Sequence, residues 1–346
     1  MYCCYRYYRY CCLLLLFVFQ LLISNTSSAQ DIQFSQFYAN TLYLNPAFAG
    51  ITPYTRLMFH QRLQWPSLDA RYSTSMVAID HYFEKYKSGL GLIAMHDIQG
   101  ASNIASTQVD LQYAYEISLS NKFSFRPGLQ AGFVSRYIDY SGLVYPDQYN
   151  DNGFAGGSQS DHQNNRINFM DFSAGGILYS DGLWMGFSAH HINTPNQSFL
   201  GESSRLPAKF SFVGGYKFIV ERTDIMRVKH KISIIPTFQY KLQGKSDQFD
   251  IGIYGLYYQA LLGVWSRGIP IKKYQSKLSN NESLILLAGY KFSVVSVSYS
   301  YDLTVSRLIK AGSGGSHELN ITYLFQKSRK PRKPMKKLPC PDLYKS

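Results

Sequence analysis

The chain is poor in charge, in usable cysteine and in long apolar runs, and each shortage excludes something. Only 16% of its 346 residues are charged, below the roughly 25% of ordinary soluble domains. Four of the five cysteines (Cys3, Cys4, Cys11, Cys12) crowd the start of the chain, and one, Cys340, lies near its end. Once the leading segment is removed, a single thiol remains; that excludes an intramolecular disulfide and argues against a cysteine-based zinc site. Beyond that segment no apolar run reaches the ~18 residues of a transmembrane helix. No glycine loop precedes a helix in the phosphate-cradling pattern, and no paired-cysteine metal motif occurs. Serines are abundant, but no spacing brings one to a histidine and an orienting polar group. His190-His191 and His317-Glu318 are adjacent pairs. On a strand their side chains point to opposite faces, so neither makes a two-ligand metal site or an acid-base dyad. Neither an enzyme nor a cofactor is expected.

Aromatic residues and glycine are plentiful instead: 29 Tyr, 22 Phe and 26 Gly. The clearest pattern is Val295 to Val305. Val295, Val297, Tyr299, Tyr301, Leu303 and Val305 share one face of a strand; Ser296, Ser298, Ser300, Asp302 and Thr304 share the other. Strict alternation predicts one apolar and one polar face. Eleven residues rising ~3.3 Å each and tilted by roughly 45° cover ~25 Å, the height of the apolar band of a membrane barrel.

The two ends of the chain differ from this. Arg6 and Arg9 precede an apolar run from Leu13 to Ile23, and Ser27-Ser28-Ala29 supplies small residues for cleavage. Residues 1–29 therefore read as a secretory signal peptide, leaving Gln30 first. The formal charge of +13 is concentrated at the other end, in Lys327, Arg329, Lys330, Arg332, Lys333, Lys336 and Lys337. On an exported protein this run suits an acidic protein or anionic lipid rather than nucleic acid.

Between the ends, fourteen strand candidates follow in series over residues 53–326, giving an all-β, transmembrane antiparallel barrel. The best include Ser106 to Leu119, whose polar face carries Asp110 and Glu116. The next strand carries Arg126, placed to offset those acids inside the lumen. Ser180-Asp181-Gly182 is a hairpin signal. Pro236 is expected to mark a bulge in the strand from Lys231 to Leu242. Connections alternate short and long; the long ones are 137–168, 193–206 and 268–282. Asp139, Asp147, Asp151 and Asp161 in the first match no calcium-loop spacing. Short turns at the periplasm and long loops outside are the barrel asymmetry, which sets both termini on the periplasmic side of the outer membrane. Residues 30–52 are aromatic without strand periodicity, so they are expected to pack into the periplasmic mouth or the lumen. Residues 327–346 are expected to form a basic periplasmic tail.

Several motifs resemble one family in order along the chain. Phe34-Ser35-Gln36-Phe37-Tyr38 and Leu44-Asn45-Pro46-Ala47-Phe48-Ala49-Gly50 look like the opening of PorP/SprF outer-membrane proteins of the type IX secretion and gliding machinery of Bacteroidota. Arg56, Arg62 and Trp65 resemble its arginine-then-tryptophan region. Tyr299-Ser300-Tyr301-Asp302 and Gly314-Gly315-Ser316-His317-Glu318 resemble its closing strands. The positions carried over are Asn45, Pro46, Gly50, Arg62, Trp65, Tyr301, Asp302, Gly315, Ser316, His317 and Glu318, as structural or partner-binding residues. The resemblance implies support for secretion or surface anchoring of exported proteins such as gliding adhesins. It implies periplasmic ring components and the C-terminal domains of exported proteins as partners, beside outer-membrane lipid. A passive porin or hydrophobic-solute channel is the alternative, and a barrel lipid hydrolase a third reading.

Overall fold

A computed structural model describes residues 31–68, 72–100, 104–138, 149–150, 153–154, 165–199, 201–223, 229–274, 278–305 and 312–325. The expected signal peptide, the basic tail with its seven cations, and the four aspartates of the 137–168 loop lie outside them. The chain divides into two compact units at Asp31 and Ile32, and the second is the one described below. Among the described residues no helix is long and apolar enough to cross a membrane.

The polypeptide closes into a fourteen-stranded antiparallel barrel. The strands are β1 (Thr55–Gln64), β2 (Tyr72–Phe83), β3 (Ser88–Gln99), β4 (Ile104–Tyr115, resuming at Ile117–Ser118), β5 (Ser124–Tyr137), β6 (Arg166–Tyr179) and β7 (Leu183–His190). Then come β8 (Lys209–Tyr216, resuming at Phe218–Thr223), β9 (Lys229–Gln243), β10 (Ser246–Tyr257), β11 (Ala260–Tyr274), β12 (Leu278–Phe292), β13 (Val295–Thr304) and β14 (Ser316–Phe325). Each pairs with the next, and β14 returns to β1 with Arg62 opposite Glu318. Closure leaves no unpaired edge, which the hydrocarbon core of a membrane requires.

Alternation orders the wall. On β3 Leu90, Leu92 and Ala94 are exposed while Gly91, Ile93 and Met95 are buried. Exposed aromatics gather beside the short turns, among them Phe83, Tyr115, Phe123, Tyr257, Phe292 and Phe325. That is the position of an interfacial aromatic girdle.

Two local expectations are corrected. Residues 268–282 are not a plain loop: β11 runs to Tyr274 and β12 starts at Leu278, pairing through Gly268–Asn281 and Tyr274–Leu278 with register shifts on the way. Backbone pairing needs no apolar alternation once a hairpin leaves the membrane, so periodicity misses it. Pro236 marks no bulge either, because β9 and β10 stay in register past it. On the other side β8 keeps the same register with β9 from Gly215–Thr237 to Phe218–Ile234, across the break in β8 at Lys217.

Residues 32–50 run inside the barrel. Phe34, Phe37, Tyr38, Leu42, Ala47 and Phe48 are all buried there. A single helical turn, α1 (Thr41–Leu44), is followed by a 3-10 turn at Pro46–Phe48. The plug's apolar side chains pack against inward-facing wall residues such as Met58, Met76, Ile93, Trp184 and Trp265, and together they form the core inside the barrel.

Candidate functional site

The inward faces of the strands carry the charges that a membrane wall tolerates only when they are paired or face a polar interior. Here they pair with one another and with the plug. At the seam of β13, β14 and β1, Glu318 is held by Arg62 Nη1 at 2.7 Å and lies 2.9 Å from His60 Nε2. Its two carboxylate oxygens also accept the backbone N–H groups of Ser35 and Gln36, each at 2.7 Å. Asp302 Oδ2 lies 2.9 Å from Arg62 Nη2 and 3.2 Å from Arg267 Nη1. The Ser35 hydroxyl sits among these groups, donating to Asp302 at 2.6 Å and accepting from Arg62 and Arg267 at 2.8 and 2.9 Å. The Gln36 amide joins Glu318 O at 2.9 Å and accepts from Ser298 Oγ at 2.6 Å. The charges of this cluster are paired with one another, although Arg62 Nε, Arg267 Nε and Asp302 Oδ1 make no hydrogen bond; removing one member leaves the rest as uncompensated buried charge.

Phe37 stands edge-on to Trp265 with ring centroids 4.5 Å apart, and Tyr38 meets Tyr254 at 4.9 Å. These are favourable edge-to-face contacts between large buried rings. Farther along, Arg56 pairs with Asp80 at 2.9 Å and donates to the Thr41 hydroxyl at 3.1 Å; Asp80 Oδ2 accepts the Gly50 N–H at 2.8 Å. Gln112 Nε2 donates to Leu42 O and Ser188 Oγ to Leu44 O. Arg126 does pair with Glu116, at 3.3 Å, and donates to Ala49 O at 2.6 Å and to Ala47 O at 3.3 Å.

At Pro46–Gly50 the contact becomes backbone on backbone. A Cβ at Gly89 would fall on the Ala49 carbonyl, and one at Gly128 on the Ala47 backbone. Gly50 has φ +64°, and a Cβ there would lie 2.6 Å from Gly89 Cα. Asn45 caps the 3-10 turn through Ala47 N–H at 2.9 Å. Its amide nitrogen donates to Phe187 O at 2.8 Å and Gly176 O at 3.3 Å, tying the turn to the paired strands β6 and β7.

The positions singled out in the sequence therefore fall in three places. Asn45, Pro46 and Gly50 are in the plug. Arg62, Asp302 and Glu318 line the lumen at the seam and hold that plug. Tyr301 and His317 are on the outer face of the seam, where their rings lie 5.0 Å apart and His317 Nδ1 is 2.6 Å from Tyr299 OH. Trp65, with φ 54°, and Gly315, with φ 69°, join the loops above it, Trp65 N–H donating to Gly315 O at 2.9 Å. Ser316 opens β14 beside them, opposite Asp302. His60, Asp80, Arg126 and Arg267 complete the clamps. The sequence signal for them was a charged or polar residue on the non-apolar face of a membrane strand. Among the described residues no group of three or more His, Cys, Asp or Glu is arranged to hold a metal ion.

Residues 26–323 of the chain match the family described as type IX secretion system membrane protein PorP/SprF. No curated protein matches the chain. Among solved structures it is similar to the Acinetobacter baumannii outer membrane protein Omp33 (7% identity, 80% of this chain and 100% of that one, TM-score 0.42). It is also similar to a Pseudomonas aeruginosa FadL homologue (13%, 83% and 94%, TM-score 0.40) and to the TodX deltaS2S3 mutant, a monoaromatic hydrocarbon channel (10%, 82% and 92%, TM-score 0.41).

Proposed function

We propose, because this chain belongs to the PorP/SprF family of type IX secretion system membrane proteins, that it is a non-catalytic outer-membrane platform for exported surface proteins such as gliding adhesins. In this reading it binds the C-terminal domains of its cargo and the periplasmic ring components of the secretion apparatus. The observation that favours a platform over a passive porin or hydrophobic-solute channel is the filled lumen. Residues 32–50 are tied to the wall at Glu318, Asp80, Arg126 and Phe187, so polypeptide occupies the barrel interior.

The barrel sits with its short turns in the periplasm. The basic stretch from Lys327 to Lys337 then meets an acidic ring protein or anionic lipid, and that contact weakens as salt approaches 1 M, where the screening length is ~3 Å. A deletion strain tests the platform. Loss of surface adhesins with unchanged solute permeability supports it; unchanged adhesin display with lost solute uptake would return the barrel to the channels. Deleting residues 329–346 should leave the barrel inserted and lower recovery of ring components in pull-downs. Undiminished recovery would reduce the tail to a spacer.

A further inference from the structure

The plug touches the wall toward both ends of the barrel: its leading residues and Tyr43–Leu44 lie toward the long loops, and its Pro46–Gly50 turn lies toward the short turns. Ser35 and Gln36 bond to Glu318, Asp302 and Arg62. Each of these lies two residues from the long-loop end of its strand: β1 ends at Gln64, β13 ends at Thr304 and β14 starts at Ser316. Arg62 is seven residues along β1 from Thr55. At ~3.3 Å per residue and a tilt of roughly 40°, that is ~18 Å above the turn end. The other end of the plug lies low. Gly50 bonds to Asp80, three residues before β2 ends, and packs on Gly89, the second residue of β3. The segment then leaves the lumen at the turn end to enter β1.

The leading residues are fixed at the loop end by a second set of contacts. Tyr43 OH donates to Ile32 O at 3.0 Å, and its ring lies 5.0 Å beneath Lys209 Nζ, on the first residue of β8 after the 193–206 loop. Ile32 and Gln33 are partly exposed there, whereas Ser35 to Tyr38 are buried.

We infer that the leading end of the plug, at Ile32 and Gln33, is presented on the cell surface among the long loops, while its Pro46–Gly50 end seals the barrel from the periplasm. This rests on the orientation given above. It keeps the lumen placement expected for this segment and departs from the expectation of a periplasmic amino terminus.

Three variants, each adding one cysteine beside the native Cys340, test it: Gln33→Cys in the plug, Glu202→Cys in a long loop and Asn121→Cys in a short turn. Each is exposed to a membrane-impermeant maleimide in intact and in lysed cells, with modification read peptide by peptide by mass spectrometry. The expected result is that Gln33→Cys and Glu202→Cys are modified in intact cells while Asn121→Cys reacts only after lysis. If Glu202→Cys reacts and Asn121→Cys does not, but Gln33→Cys behaves like Asn121→Cys or never reacts, the plug assignment is wrong and the orientation survives. If Asn121→Cys reacts in intact cells and Glu202→Cys does not, the orientation itself is wrong and the surface assignment falls with it.

Discussion

At the loop end of the lumen the plug is held by charge, through Ser35 and Gln36 set among Glu318, Asp302, Arg62 and Arg267. At the turn end fit is added to charge: Asp80 and Arg126 hold the Gly50 N–H and the Ala49 carbonyl, while Ala47, Ala49 and Gly50 lie against bare backbone at Gly128 and Gly89. Charge is strong but depends on every partner being present. Fit is weaker per contact and depends on one atom being absent. One segment fastened by both means is pinned in position along the barrel axis and in rotation.

The charged end should break most expensively. In Glu318→Ala, Arg62 and His60 lose their shared partner and two plug N–H groups lose their acceptor. Removing one member of a buried ionic cluster costs roughly 3–5 kcal/mol. Denaturant unfolding of the barrel in detergent should show the loss, with the plug becoming open to protease. A midpoint unchanged from wild type would mean the cluster is solvated and not structural.

At the fitted end, Gly128→Val should cost roughly 1–3 kcal/mol, as overpacking does. Its signature differs, because the wall stays intact while the plug is pushed off. Single barrels in a planar bilayer should be closed in the wild type and pass current in the variant. Gly255→Ala is the control, since a Cβ there meets nothing within 4 Å. Equal current from both variants would show that lumen closure does not depend on the Pro46–Gly50 contact.

Asn45 lies between the two regimes, fitting a turn and donating across β6 and β7. Asn45→Ala should cost roughly 1–2 kcal/mol, one cap and one neutral hydrogen bond. Asn45→Asp should be worse, because it faces Phe187 O and Gly176 O with a carboxylate where a donor stood. Comparing unfolding midpoints decides this, and a ranking with Asp milder than Ala would show that the amide donors are unused.

Much of the wall was readable in the sequence. Alternation from Val295 to Thr304 gave both faces of β13, and the strand count followed from its repetition. What covers each face was not readable. Ser298 and Ser300 look like residues made for water, yet both are buried and face Gln36 of the plug. Periodicity says which side chains share a side and is silent on what lies there. The plug lacks a period because its side chains answer to several strands in turn: Phe37 to Trp265, Thr41 to Arg56, Asn45 to Phe187. What Gly89 and Gly128 pack against was not readable either, since their use is the missing atom and the backbone that fills its place comes from far along the chain.

The smallest effect belongs to the other side of the same strand. His317 is next to Glu318, but the alternation of β14 puts it outside, beside Tyr299 and Tyr301. It touches no residue of the plug in any contact described above. His317→Ala removes one hydrogen bond from a partly exposed pair, worth roughly 0.5–1.5 kcal/mol. Barrel unfolding should shift slightly, and both the closed lumen and the protease resistance of residues 32–50 should be kept. His317→Phe retains the ring against Tyr301 and should recover part of the loss. If His317→Ala instead opened the lumen as Gly128→Val is expected to, the two faces of the seam would be coupled through the backbone of β14. The clamp at Glu318 would then be set partly from outside the barrel, where a membrane or protein partner can reach it.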